Sequence, residues 1–167
     1  MLGTDACKAG AVNNLLHLLF KEITVQFNNK TVSDSSNMYA YRSYIENLFN
    51  LNKDIEKYRL KAEGWHWGKH DKIDEADSKN NTGLFERNKY CVNSPDIVLI
   101  GCPHSDAFHI EKSISLGIDV SIKFLPNDNK FGCMCSDADN LRPIVIIEDM
   151  NLIICTKQLS DASKVAH

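Results

Sequence analysis

Two segments of the chain alternate hydrophobic and polar side chains, which is the pattern of a strand with one buried face. The first covers residues 23–27 and is followed by Asn28-Asn29, two residues that tolerate the positive φ angles of a two-residue turn. The second covers residues 117–124 and ends before a turn rich in proline, asparagine and aspartate. The inward-facing residues of both strands are the predicted core: Ile23, Val25, Phe27, Ile118, Val120, Ile122 and Phe124.

Between these strands the pattern becomes helical. Apolar side chains at positions 41, 44, 45, 48 and 49 repeat at intervals of three and four residues, after the N-cap candidates Ser35-Ser36-Asn37. Shorter helices are predicted within 12–20 and near 54–63. Further strands are predicted in three apolar runs: 96–100, 144–147 and 152–155. Helices come early and strands late, without regular βαβ alternation, so the pattern predicts a mainly β antiparallel sandwich with short helical insertions.

A long polar stretch at about 52–91 interrupts this pattern and is predicted to be a surface excursion. It contains Trp65 and Trp67, which we expect to form a subunit interface, because tryptophan is enriched at protein contacts. Packing within the domain is the alternative. His66 and His70 would share a helical face, but the neighbouring glycines disfavour a helix there.

The composition fits an ordinary globular protein. The 167 residues are 43% hydrophobic and 25% charged, which predicts one domain over residues 1–167, and no apolar run approaches the length of a membrane span. The first residues lack the basic start of a secretory signal, so we expect an intracellular protein that is not secreted. A net charge of −3 disfavours specific nucleic-acid binding.

Three potential metal ligands lie close together in the sequence: Cys102, His104 and His109. Cys133 and Cys135 are a further pair of potential ligands. A structural zinc site needs four converging ligands, and the one-residue spacing of the second pair is unusual for zinc. Buried thiols and surface imidazoles are the plainer interpretation. The chain lacks a Gly-x-Ser-x-Gly elbow and a glycine-rich phosphate loop. We therefore expect no enzyme, no catalytic residue and no cofactor, with a small zinc-binding or thiol enzyme as the remaining alternative.

Several blocks of the chain resemble, in the same order, the jelly-roll major capsid protein of Polinton/Maverick elements and adintoviruses. Residues 39–46 resemble its YxYRxYIE-type helix, and residues 104–108 resemble its HxDxF block. The other similar blocks are 13–32, 81–87 and 116–124.

The resemblance implies an incomplete jelly-roll sandwich, corresponding to the first of two jelly rolls and lacking the strands that precede Val12 in the family. It also implies shell assembly by self-association, with the chain itself or related capsid proteins as partners and a trimer as the family's capsomer. A domesticated, transposon-derived capsid fragment that acts as a binding module or assembly inhibitor is the alternative.

Overall fold

The computed structural model describes residues 9–33, 36–49, 56–68, 71, 80–93, 95–110, 112–135 and 144–158. The strands are β1 (Ala9–Ala11), β2 (Phe20–Phe27), β3 (Lys30–Thr31), β4 (Val120–Pro126) and β5 (Cys133–Cys135). The α-helices are α1 (Leu15–Leu18), α2 (Tyr39–Phe49) and α3 (Thr82–Asn88). A π-helix spans Glu56–Leu60, and 3₁₀ turns span Asp106–Phe108 and Asn129–Gly132.

Both sheets are small and antiparallel. One contains β1 and β5, and the other has the order β3-β2-β4. In the second sheet Val25 lies opposite Ile122 and Ile23 lies opposite Phe124, so the two predicted strands pair with each other directly. The predicted turn is confirmed, because Asn28 and Asn29 have φ angles of 48° and 64°.

The prediction of a mainly β jelly-roll sandwich is wrong. Helices account for 29% of the described residues and strands for 18%, in sheets of only two and three strands. The runs 96–100, 144–147 and 152–155 carry no strand assignment. A β-branched run becomes a strand only where a neighbouring strand pairs with it along its length, and the described sheets do not include these runs.

The core lies between the three-stranded sheet and α2. Phe20, Ile23 and Tyr39 form its buried cluster, and Ile122 and Phe124 pack against it while partly buried. The core predictions for Ile23 and Val25 are confirmed at 4% and 1% exposure. Phe27 and Ile118 are half-buried. The prediction for Val120 is wrong, because its side chain is 42% exposed at the end of β4.

The region predicted as a surface excursion contributes to the interior. Leu60, Glu63 and Trp65 are at most 1% exposed, and Leu84 of α3 is also buried. The excursion prediction is therefore wrong for these residues, because their side chains fill the space beside α1 and α2. Residues 72–79 of the same region lie outside the described part of the chain.

Candidate functional site

A buried asparagine fixes the short helix that begins the site. Asn14 has a left-handed backbone with φ of 62° and is fully buried. Its side-chain amide donates to Ser43 Oγ over 3.2 Å, and the Asn47 amide donates to Asn14 Oδ1 over 3.1 Å. These contacts hold α1 against α2 and orient His17, on the last turn of α1, toward the interior.

Three side chains from separate parts of the chain meet there. His17 comes from α1, Glu63 follows the π-helix, and His104 lies in an extended segment, with exposures of 2%, 0% and 5%. Their free ligand atoms all lie within 4.8 Å of one another. His17 Nε2 is 3.4 Å from Glu63 Oε2, and the two imidazole rings meet edge to face with centroids 4.6 Å apart. Within the described residues, these three form the group that could hold a metal ion.

A chain of charged contacts supports His104 from the outside. Its Nδ1 donates to Glu46 Oε2 over 2.7 Å. Arg42 donates from Nε to Glu46 Oε1 and from Nη2 to Asp106 Oδ1, both over 2.6 Å. Because Nδ1 is engaged in this way, Nε2 is the nitrogen that His104 turns toward the other two side chains.

The Tyr39 hydroxyl links the two histidines. It shares a hydrogen bond with His17 Nδ1 over 2.9 Å and accepts one from the backbone N–H of His104 over 3.3 Å. Burial raises the pKa of Tyr39 well above its usual range, so this hydroxyl keeps its proton at neutral pH. It can therefore donate to or accept from His17, depending on the imidazole tautomer.

Glu63 is held from three directions. Arg59 Nε donates to its Oε1 over 3.1 Å, and its backbone carbonyl accepts from Leu16 N over 3.0 Å. The extended segment crosses directly above it at Gly101. A Cβ at position 101 would lie 2.7 Å from Glu63 Cγ and 2.6 Å from Leu16 Cδ2, so only glycine fits there.

Burial and neighbouring charges shift the pKa values in the cluster. Burial raises the pKa of Glu63, but His17 and Arg59 beside it lower the pKa below its usual value. Burial and the neighbouring His17 lower the pKa of His104, more than Glu46 raises it. Around His104, the carboxylates of Glu46, Glu63 and Asp106 pair with the guanidinium groups of Arg42 and Arg59.

The structure separates the predicted metal ligands. His104 joins the cluster, but Cys102 is exposed with its Sγ 3.9 Å from the Pro103 carbonyl, and exposed His109 bonds the carbonyl of Ser105. Cys133 lies beside Cys91. Cys135 pairs with Ala9 through the backbone of β5, and its side chain lies outside the described part. Among the described side chains, Cys102, His109 and Cys133 do not join His104 in a group of metal ligands.

Sequence reasoning missed His17 and Glu63. The available signal was an isolated histidine within the apolar run of α1 and a glutamate four residues after Arg59. Neither signal predicts which residues would contact these side chains, because the three segments come together only in the folded chain.

The two tryptophans differ in exposure. Trp65 is 1% exposed and packs against Tyr44 and Trp67, at ring-centroid distances of 4.9 and 6.0 Å. Its ring therefore lies inside the chain and not on a surface. Trp67 is 39% exposed, so its interface role stays a prediction.

A second candidate site is a surface of exposed aliphatic residues at 144–154. This stretch belongs to no helix or strand, and its exposed aliphatic side chains are Ile144 (58%), Ile146 (72%), Ile147 (44%), Leu152 (45%), Ile153 (89%) and Ile154 (65%). We call it the aliphatic segment. Such concentration of exposed branched residues is typical of contact surfaces.

Comparison with known proteins gives one distant similarity. No family model and no solved structure matches the chain. The chain is 26% identical to an uncharacterized protein of Caenorhabditis elegans, F54H12.2, over an alignment that covers 64% of this chain and 29% of the nematode protein. The chain thus spans less than a third of this relative's length, and the similarity assigns no activity. No helix among the described residues combines the length and hydrophobicity needed to cross a bilayer.

Proposed function

We propose that the chain is a capsid-type structural protein that acts by self-association, in a virion shell or inside a host cell. The observation that carries the proposal is the aliphatic segment, where Ile146 and Ile153 expose 72% and 89% of their surface. Full burial of one such side chain contributes about 1.5–3 kcal/mol, so association of several yields a large gain.

The backbone of the aliphatic segment also favours association. Residues 144–158 belong to no helix and no sheet of the described structure. A segment outside regular structure can offer its N–H and C=O groups to a strand of another copy. Strand addition would satisfy these groups and bury the aliphatic side chains in one step.

The three-stranded sheet offers a partner for such a strand. β4 is an edge strand, with β2 on one side, and it exposes Val120 and Leu125 at 42% and 38%. We propose that the aliphatic segment of one copy adds to an edge of this kind in another copy. The resemblance of residues 39–46 and 104–108 to a capsid family supports the same role, which is non-enzymatic.

Light scattering tests the proposal most directly. The purified chain is passed through a sizing column with multi-angle scattering over a range of concentrations, together with Ile153→Lys. We expect the parent chain to form oligomers and the variant to shift toward monomers. Phe49→Lys is the matched control, because Phe49 is 85% exposed at the end of α2 and lies outside the aliphatic segment. A parent chain that stays monomeric, or equal effects of both variants, contradicts the proposal.

The alternative role, inhibition of shell assembly through the same aliphatic segment, makes a different prediction. A chain that only caps growing shells would lower the yield of particles when co-expressed with a full-length relative. A building block would enter those particles at constant yield. Negative-stain imaging with quantification of both chains in the particle fraction separates these outcomes.

A further inference from the structure

We propose that His17, Glu63 and His104 form a binding site for a divalent transition-metal ion, with zinc as the best-suited ion. Each of the three residues offers a ligand atom within 4.8 Å of the other two. The buried atoms without a hydrogen bond are His17 Nε2, His104 Nε2 and Glu63 Oε2, and we assign these as the ligands. Two imidazoles and a carboxylate suit zinc and related borderline ions better than magnesium or calcium, which prefer oxygen ligands alone.

The ligand atoms are buried and lack other hydrogen-bond partners. Each of the three has less than 1 Å² of accessible surface and no hydrogen bond among the described residues. The 3.4 Å contact of His17 Nε2 with Glu63 Oε2 is longer than a charge-assisted hydrogen bond. Buried polar atoms without partners are costly, so three of them in one small cluster favour the binding of an ion that they can coordinate.

The separations match those of a coordination sphere. Bonds of about 2.0–2.1 Å in a tetrahedron place neighbouring ligand atoms about 3.3–3.4 Å apart. His17 Nε2 and Glu63 Oε2 already have this separation. The 4.8 Å limit on the remaining pairs means that small side-chain rotations complete the site. Three protein ligands leave the fourth position to water.

The hydrogen bonds between the candidate ligands and their neighbouring residues are typical of a metal centre. Histidine ligands usually donate their second ring N–H to a carboxylate or another acceptor, which fixes the ring and the tautomer. Glu46 accepts from His104 Nδ1 in this way over 2.7 Å, and the Tyr39 hydroxyl is placed to accept from His17 Nδ1 over 2.9 Å. Arg59 holds the second oxygen of Glu63.

The cluster lies next to a surface groove. The groove has a volume of about 340 Å³, and Tyr39, Arg42 and His104 are among its lining residues, so it approaches the cluster from the side of His104. The bound ion would tie α1, the segment after the π-helix and the segment carrying His104 together.

Calorimetric titration with Zn²⁺ tests the site on the full chain after treatment with a chelator. We expect one equivalent to bind and the midpoint of thermal unfolding to rise with Zn²⁺ concentration. His104→Gln should weaken the affinity more than about 100-fold, since loss of an outer partner alone costs about 10–100-fold. Glu46→Gln changes only the carboxylate that accepts the hydrogen bond from His104 Nδ1. This variant should therefore weaken the affinity for Zn²⁺ by about 10–100-fold. His66→Gln is the control, because this half-buried histidine bonds Tyr90 away from the cluster.

Co²⁺ provides a second readout that does not depend on the variants folding. A Co²⁺ complex of the parent chain should show visible ligand-field bands without the ultraviolet charge-transfer band of a thiolate, and should perturb the NMR signals of His17 and His104. A thiolate band would assign the metal to cysteines and overturn the proposal. Absence of saturable binding, or equal affinity in His104→Gln and the parent chain, would also overturn it.

Discussion

His104 Nδ1 donates a hydrogen bond to Glu46 Oε2 over 2.7 Å, joining two segments that are 58 residues apart. The same two segments meet again where Arg42 contacts Asp106 and where Tyr39 accepts from the His104 backbone. The helix block 39–46 and the block 104–108 therefore form one interlocked unit. The spacing within each block reflects these contacts, because successive helical turns place Tyr39, Arg42 and Glu46 along the same stretch of the neighbouring segment.

Removal of the Glu46 carboxylate tests how much this unit stabilises the fold. Glu46→Ala leaves the N–H of buried His104 without its acceptor and should lower the free energy of unfolding by about 1–3 kcal/mol. Glu86→Ala is the control, because Glu86 pairs with Lys89 on the surface and should cost less than about 1 kcal/mol. Urea unfolding of both variants decides the point, and equal losses would contradict it.

The local elements could be predicted because their signals are local. Alternation identified β2 and the buried positions Ile23 and Val25, and three- and four-residue spacing identified α2. The strands predicted at 144–147 and 152–155 are not among the strands of the described structure. An apolar β-branched run forms a strand only where a neighbouring strand pairs with it, and the sequence does not show that neighbour. For the same reason the sequence indicated His104 as a ligand but paired it with nearby Cys102, whereas folding brings it to His17 and Glu63.

Arg87 anchors α3 through backbone carbonyls. Its Nε donates to the Ala11 carbonyl over 2.9 Å and its Nη1 donates to the His66 carbonyl over 2.8 Å, with the residue only 7% exposed. Arg87→Met keeps most of the apolar stem but removes both donors, and should cost about 2–4 kcal/mol of unfolding free energy. Lys89→Met on the exposed side of the same region should change it by less than about 1 kcal/mol. Chemical denaturation of both variants measures the difference, and similar values would refute the anchoring role.

Gly83 is required by the close approach of α3 to another backbone segment. A Cβ at position 83 would overlap the Trp67 carbonyl oxygen, a clash that only a backbone shift can relieve. Gly83→Ala should therefore destabilise by about 3 kcal/mol or more despite the better helix propensity of alanine. Thr82→Ala, at the exposed neighbouring position, should change the free energy of unfolding by less than about 0.5 kcal/mol. A Gly83→Ala variant with the parent's thermal midpoint would show that α3 does not pack in this way.

The turn between β2 and β3 should respond to substitution in opposite directions. Both of its central residues have positive φ, 48° at Asn28 and 64° at Asn29, which is the type I′ arrangement. Asn29→Gly should raise stability by up to about 1 kcal/mol, because glycine adopts this conformation without steric cost. Asn29→Val should lower it by about 1–2 kcal/mol. Thermal unfolding followed by circular dichroism tests the pair, and shifts of the same sign would contradict the assigned turn.

Cys133 should be a reactive thiol at neutral pH. A hydrogen bond from the Cys91 side chain outweighs burial and lowers the pKa of the Cys133 thiol from 9.0 to about 7. Its thiolate share should rise from about a tenth at pH 6 to about nine tenths at pH 8, so its alkylation rate should rise about tenfold and then level off. Because the folded pKa lies below the unfolded value, the same shift should increase the free energy of unfolding as pH rises from about 7 to 9, a gain lost again as pH falls through 7.

Mass spectrometry of iodoacetamide-labelled peptides across this pH range measures Cys133 separately from the other cysteines. Cys91→Ala removes the hydrogen bond and leaves the burial, so the pKa of Cys133 should return to its ordinary value or above. In that variant the rate should keep rising beyond pH 8 and not level off. A parent profile that already rises without a plateau would mean that Cys91 does not stabilise the thiolate, and the proximity of these two thiols would then have no chemical consequence.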